Sequence, residues 1–149
     1  MRTTILWLHA LGGVAWIGAA AVFVIASSAV GLDDDEGVAM MRRIAPVINR
    51  IGLAAMLFIV ISGIVNIYIA GTMRRFAFSN AFVELLALKI AALSAMYVLL
   101  SLSWRAEANL ASSDDSQNHR AARRLIMFNL AIIGFGGIAL LLGLWLLGT

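Results

Sequence analysis

The sequence contains no cysteine, a single proline and few charges: of its 149 residues only 13% are Asp, Glu, Lys or Arg, about half the share of a soluble domain. Without cysteine there is no disulfide framework, thiolate zinc site, iron–sulfur cluster or thiol nucleophile. One proline excludes a Pro-rich linker. The shortage of charge excludes a water-soluble globular enzyme, because 62% of the residues are hydrophobic and the mean hydropathy is +0.97. There is no phosphate-binding glycine loop, and no serine has a His–Asp set beside it, so nucleotide and hydrolase chemistry lack support. A net charge of +3 suggests a nucleic-acid partner only in a soluble protein. Here the arginines sit at the ends of apolar runs, as they do in membrane proteins.

Those runs define the architecture. The hydrocarbon core of a bilayer needs about 20 apolar residues per helix. Thr3 to Leu32, Ile51 to Met73 and Leu125 to Thr149 carry no charged side chain, and the stretch from Ala81 to Trp104 carries only Glu84 and Lys89. The spans fall near residues 5–31, 47–72, 81–104 and 125–147, predicting an all-α protein: one integral membrane domain, an antiparallel four-helix bundle. Two polar stretches, Asp33 to Arg43 and Arg105 to Arg124, read as loops too short for a soluble domain. Arg2 followed by an apolar run with Ala26, Ser27, Ser28 and Ala29 has elements of a signal peptide. The run exceeds the usual h-region of about 7 to 15 residues, and a retained span is expected.

Arg42, Arg43, Arg105, Arg120, Arg123 and Arg124 lie on one side of these spans, against Arg2, Arg74 and Arg75 on the other. The positive-inside rule then places both termini outside, and the expected location is a bacterial inner membrane.

An ionisable side chain in mid-membrane costs about 2.5 to 3.5 kcal/mol on insertion scales, so each one asks for a reason. Helix rise puts His9 about 6 Å and Lys89 about 10 Å below the outer boundary, in one layer. Asn66, Tyr68 and Trp145 arrive at the same side, while Arg50 and Asn129 form a thinner layer opposite. Glu84 and Lys89, five residues apart, do not form a helical i, i+4 pair. Lys89 therefore snorkels to the headgroups or meets an anionic group such as a carboxylate or haem propionate. Gly12, Gly13 and Trp16 share a helix face with His9. That face suits a flat macrocycle, with an imidazole to ligate iron, missing side chains to admit the ring and an aromatic to line it. It equally suits close helix packing with His9 hydrogen-bonded to a neighbour.

Copper asks for clustered thioether or imidazole ligands. Met56 and Met96 lie about 15 Å deeper than His9 by helix rise, and Met1 and Met73 are near its depth at the outer side. His119, between Asp114, Asp115 and Arg120, reads as a solvated loop residue, and the run from Asp33 to Glu36 lacks the alternating ligands of a calcium loop.

His9, Trp16 and Gly18, set in WLHALGGVAWIGAAAV, resemble the first helix of the copper-resistance D (CopD) family of membrane proteins. Lys89, in ALKIAALSAMYVLLSLSWRA, stands where that family and the related HemJ-type protoporphyrinogen oxidases carry a lysine. The resemblance implies haem b with His9 as a ligand and Lys89 as a second functional residue, and, for an enzyme, a porphyrinogen-oxidase-like oxidoreductase. HemJ-like proteins carry an arginine soon after the tryptophan, where this chain has Ala19 to Val24. Longer CopD-type copper proteins have additional helices beyond this core unit.

The cofactor-binding set expected from these readings is His9, Gly12, Gly13, Trp16, Asn66, Tyr68 and Lys89, with His9 as the metal ligand. The expected function is electron transfer or haem-linked oxidation. CopD-like copper transport is an alternative, as is an accessory subunit, or a homo-oligomer, whose fourth-helix glycines make contacts in a larger membrane complex.

Overall fold

A computed structural model describes residues 2–30, 35–73, 75–110 and 115–148. They form four helices: α1 (Arg2–Val30), α2 (Asp35–Met73), α3 (Asn80–Asn109) and α4 (Asp115–Gly148). Each contains a segment long and apolar enough to cross a membrane. The antiparallel pairs α1–α2 and α3–α4 pack most closely, α1 packs on α4, and α2 meets α3 less extensively, closing the bundle.

Small residues set the distances between helices. In lipid there is little hydrophobic drive between apolar helices, so close backbone approach and van der Waals contact hold them. A Cβ at Gly136 of α4 would stand 2.6 Å from Cγ1 of Ile17 on α1, and one at Gly52 of α2 would stand 2.9 Å from Nε1 of Trp16. Around these crossings Trp16, Ala20, Ala55, Met56, Met96, Leu100 and Ile132 form the mid-bundle core.

The two stretches expected as loops are largely helical. α2 begins at Asp35, α3 continues to Asn109 and α4 starts at Asp115; Asp33, Asp34 and residues 111–114 lie outside the described residues. At about 1.5 Å per residue, α2's 39 residues reach roughly 58 Å, well past a hydrocarbon core of about 30 Å. The extensions are amphipathic: Val38, Met41, Ala45 and Ile48 pack with Phe23, Ala106, Leu110, Ala121, Ala122 and Leu125 in a second core. Charges mark the outer face of these helices rather than their ends. Asp35 and Glu36 suit the first turn of α2, where carboxylates favour the helix dipole. Pro46 lies within α2; it removes one helical hydrogen bond, and the packed residues on either side keep the helix continuous.

A short connection turns α2 into α3. Phe76 N–H donates to the Gly71 carbonyl at 2.7 Å, a six-to-one bond of the kind that terminates helices. Arg75 and Phe76 have positive φ, a conformation costing a non-glycine residue about 1 kcal/mol. Phe76 offsets this by packing on Gly71. Ser79 caps α3, its hydroxyl accepting from Phe82 N–H at 3.2 Å, and Phe78 stacks on Phe82.

Candidate functional site

Helical spacing brings four elements to one level. His9 of α1 meets Ser62 and Gly63 of α2, while Lys89 of α3 lies against Gly143 of α4. His9 and Lys89 are close enough to interact electrostatically. The layer expected from helix rise therefore exists, at the end of the bundle where the short α2–α3 connection lies.

Its central contact joins His9 Nδ1 to Ser62 Oγ at 2.8 Å. Ser62 is buried, and its hydroxyl donates to the Phe58 carbonyl at 2.6 Å, with the Ile59 carbonyl at 3.2 Å. A hydroxyl has one proton, and both carbonyls can only accept. With its one proton on the Phe58 carbonyl, Ser62 Oγ can accept from His9 Nδ1–H, the tautomer that keeps a lone pair on Nε2. The ring edge lies beside Gly63, where an added Cβ would approach Cε1 to 3.3 Å.

Asn66, four residues after Ser62, belongs to the same face of α2. Its Oδ1 is buried and has no hydrogen-bond partner, a costly state for a polar atom. No hydrogen bond or carboxylate partner reaches Lys89 among the described residues. A Cβ at Gly143 would come within 3.1 Å of Lys89 Nζ, so that glycine makes the recess holding the ammonium group.

The other expected residues fall elsewhere. The face of Gly12 is occupied by Phe58 and Ile59 of α2, and that of Gly13 by Leu140 of α4. Trp16 is 2% exposed and sits in the mid-bundle core, two turns or about 10 Å from His9 along α1. Tyr68 and Trp145 are exposed on the outside of the bundle, as are Glu84 and Arg50. Met56 and Met96 are buried together in the core that holds Trp16; Met73 is exposed, and Met1 lies outside the described residues.

At the opposite end, Asn49 rather than Arg50 points inward. It is buried, donates through Nδ2 to Glu107, and accepts at Oδ1 from Ser103 Oγ at 2.8 Å. Arg42 Nε donates to the Leu110 carbonyl at 2.8 Å, and Asn129 Nδ2 donates to the Leu125 carbonyl. These bonds tie α2 to α3 and satisfy α4 internally. His119 belongs to α4 rather than to a loop and lines a small cleft with Asp35, Arg42 and Asn118. Among the described residues no three His, Asp or Glu side chains gather as a metal cluster.

Ser62, Asn49, Ser103 and Glu107 are the residues that sequence reasoning missed. Ser62 alone had a signal: it stands four residues before Asn66, so both polar groups of that span share a face.

Comparison with family models, with curated proteins and with solved structures gives no match for this chain.

Proposed function

We propose that this chain is a haem b-binding membrane protein that acts in electron transfer or haem-linked oxidation, with His9 as the axial ligand. The contact of His9 Nδ1 with Ser62 Oγ carries this reading. Metal-ligating histidines usually donate their second ring N–H to a neighbouring acceptor, which orients the imidazole and raises its basicity, and Ser62 occupies that acceptor position. With Nδ1–H held by Ser62, Nε2 is the ring atom left to ligate iron. Lys89, recessed against Gly143, supplies a positive charge for a propionate or a substrate carboxylate. Trp16 and its neighbours pack the bundle beneath this layer.

Packing supports the same reading. Among the described residues, none of α1 before Gly12, of α2 between Ser62 and Gly71, of α3 between Phe82 and Ala92, or of α4 after Gly136 is fully buried. The residues around His9 and Lys89 are therefore less buried than those of the two cores in the middle and at the far end. When bound, a b-type haem supplies a one-electron iron couple; the protein holds it, sets its charge environment and limits access.

Visible spectra of the purified protein, oxidised and reduced, test the proposal. A Soret band that is present in the native protein and lost in His9→Ala is expected. Native protein without that band overturns haem binding, and a band surviving His9→Ala moves the ligand elsewhere. Stoichiometric copper in a haem-free preparation transfers the reading to copper passage.

A further inference from the structure

The α2–α3 seam changes character along its length. Arg42 to Leu110, Asn49 to Ser103 and Gly52 to Leu100 are contacts that set an antiparallel register. Continued toward the short connection, that register brings Gly63 level with Lys89 and Asn66 level with Leu86. Arg42, Asn49, Met56, Gly63 and Ala70 recur at seven-residue steps on α2, as do Leu86, Leu93, Leu100 and Glu107 on α3, so each row keeps one face. Asn49, Met56 and Leu100 are buried and Leu93 packs on the mid-bundle core, whereas Gly63, Ala70 and Leu86 are only half-buried, as is Glu107 at the far end, where Arg42 is exposed. The α2–α3 hydrogen bonds all lie in the far half. At the very tip, Phe76 and Phe78 rejoin the helices by packing on Gly71. Between Ala92 and Phe82, both buried, no residue of α3 or of the facing stretch Gly63 to Ala70 is fully buried, and this short part of the seam is a window on the outside of the bundle.

We infer that this window admits a membrane-dissolved quinol to the layer of His9, Asn66 and Lys89. The unmet polar groups behind it define the occupant. Asn66 Oδ1 is buried without a donor and Lys89 has no acceptor among the described residues. Their levels differ by three residues, about 4.5 Å along the axis. A lipid acyl chain satisfies neither group. The ring hydroxyls of a quinol both donate and accept, and its apolar tail matches the half-buried Gly63, Ile67, Leu86 and Leu93. The inference deepens the electron-transfer proposal and rests on it for the role of the quinol, but quinol binding is measurable without haem.

The test is photolabelling of the full chain in lipid nanodiscs by a short-tailed azidoquinone in its reduced form. Label is expected on peptides covering residues 60–70 and 86–97, displaced by excess unlabelled short-tailed quinol. Asn66→Leu, which removes the acceptor, is expected to weaken labelling about ten-fold, the worth of one buried hydrogen bond. Leu86→Trp, which fills the window from the α3 side, is expected to weaken it similarly, while Ile138→Trp on the outer face of α4 leaves it unchanged. Label on the outer faces of α1 or α4, label not displaced by quinol, or label unaffected by both seam variants overturns the inference. The absence of a Soret band with seam labelling intact defeats only the haem proposal; a His9-dependent Soret band without seam labelling defeats only this one.

Discussion

His9 Nδ1 and Ser62 Oγ lie 2.8 Å apart although the residues are 53 positions apart in the chain. The serine hydroxyl also reaches the Phe58 and Ile59 carbonyls of the α2 backbone, so it can orient the imidazole while its proton stays on the backbone. Ser62→Ala leaves the Nδ1–H without its acceptor. Under the haem proposal, affinity is expected to fall about ten- to a hundred-fold, the range for loss of an outer-shell partner, in a titration of haem into the purified protein. Ser62→Thr, which keeps a hydroxyl, is expected to retain most of the affinity. Equal loss in both variants would mean that packing, not the hydrogen bond, is responsible.

Gly143 makes the recess for the Lys89 ammonium group. Gly143→Val is expected to displace that group and reproduce the effect of Lys89→Met on the haem reduction potential, measured by redox titration. The double variant is expected to add nothing to either single change, because both remove the same charge from the same place. Additive shifts would show that Gly143 acts independently of Lys89.

Gly136 lies where α4 crosses α1, and a methyl group there collides with Ile17 at 2.6 Å. Gly136→Ala is expected to destabilise the bundle by about 1–3 kcal/mol through overpacking, read from thermal unfolding in detergent. Ile17→Ala in the same chain is expected to recover part of that loss. Failure of the second change to recover any would place the strain elsewhere.

The Asn49–Ser103–Glu107 network anchors α2 to α3. Asn49→Ala leaves the Ser103 hydroxyl and the Glu107 carboxylate without their partner, at a cost of about 1–3 kcal/mol. Ser103→Ala is expected to cost less alone and almost nothing when added to Asn49→Ala, since the shared bond is already lost. A double-mutant cycle by chemical denaturation reads this; full additivity would show that the two residues are not coupled.

Much of the architecture was legible in the sequence because its cause is local. Every charge placed in hydrocarbon adds its own cost, so runs such as Thr3 to Leu32 mark spans without reference to any partner. The same rule does not say where the helices end. Asp35, Arg42 and His119 mark departure from the membrane but do not stop a helix, and the inward-facing Val38, Met41 and Ala45 carry α2 onward beside α4. A glycine's sequence position likewise says that space exists, not what fills it. Gly12 and Gly13, on the face of His9, are filled by Phe58, Ile59 and Leu140, whereas Gly63 and Gly143, in distant helices, adjoin His9 and Lys89.

From composition and helical rise alone follow four membrane-capable helices and a level shared by His9, Asn66 and Lys89, because both depend on distances along a single chain. Tertiary structure alone decides that Ser62 meets His9, that Asn66 Oδ1 is buried without a donor, that Trp16 belongs to the core and that α2 meets α3 less extensively than it meets α1. These are relations between helices, and they depend on the rotation and register at which the helices meet. Local hydropathy leaves both undetermined; side-chain packing sets them.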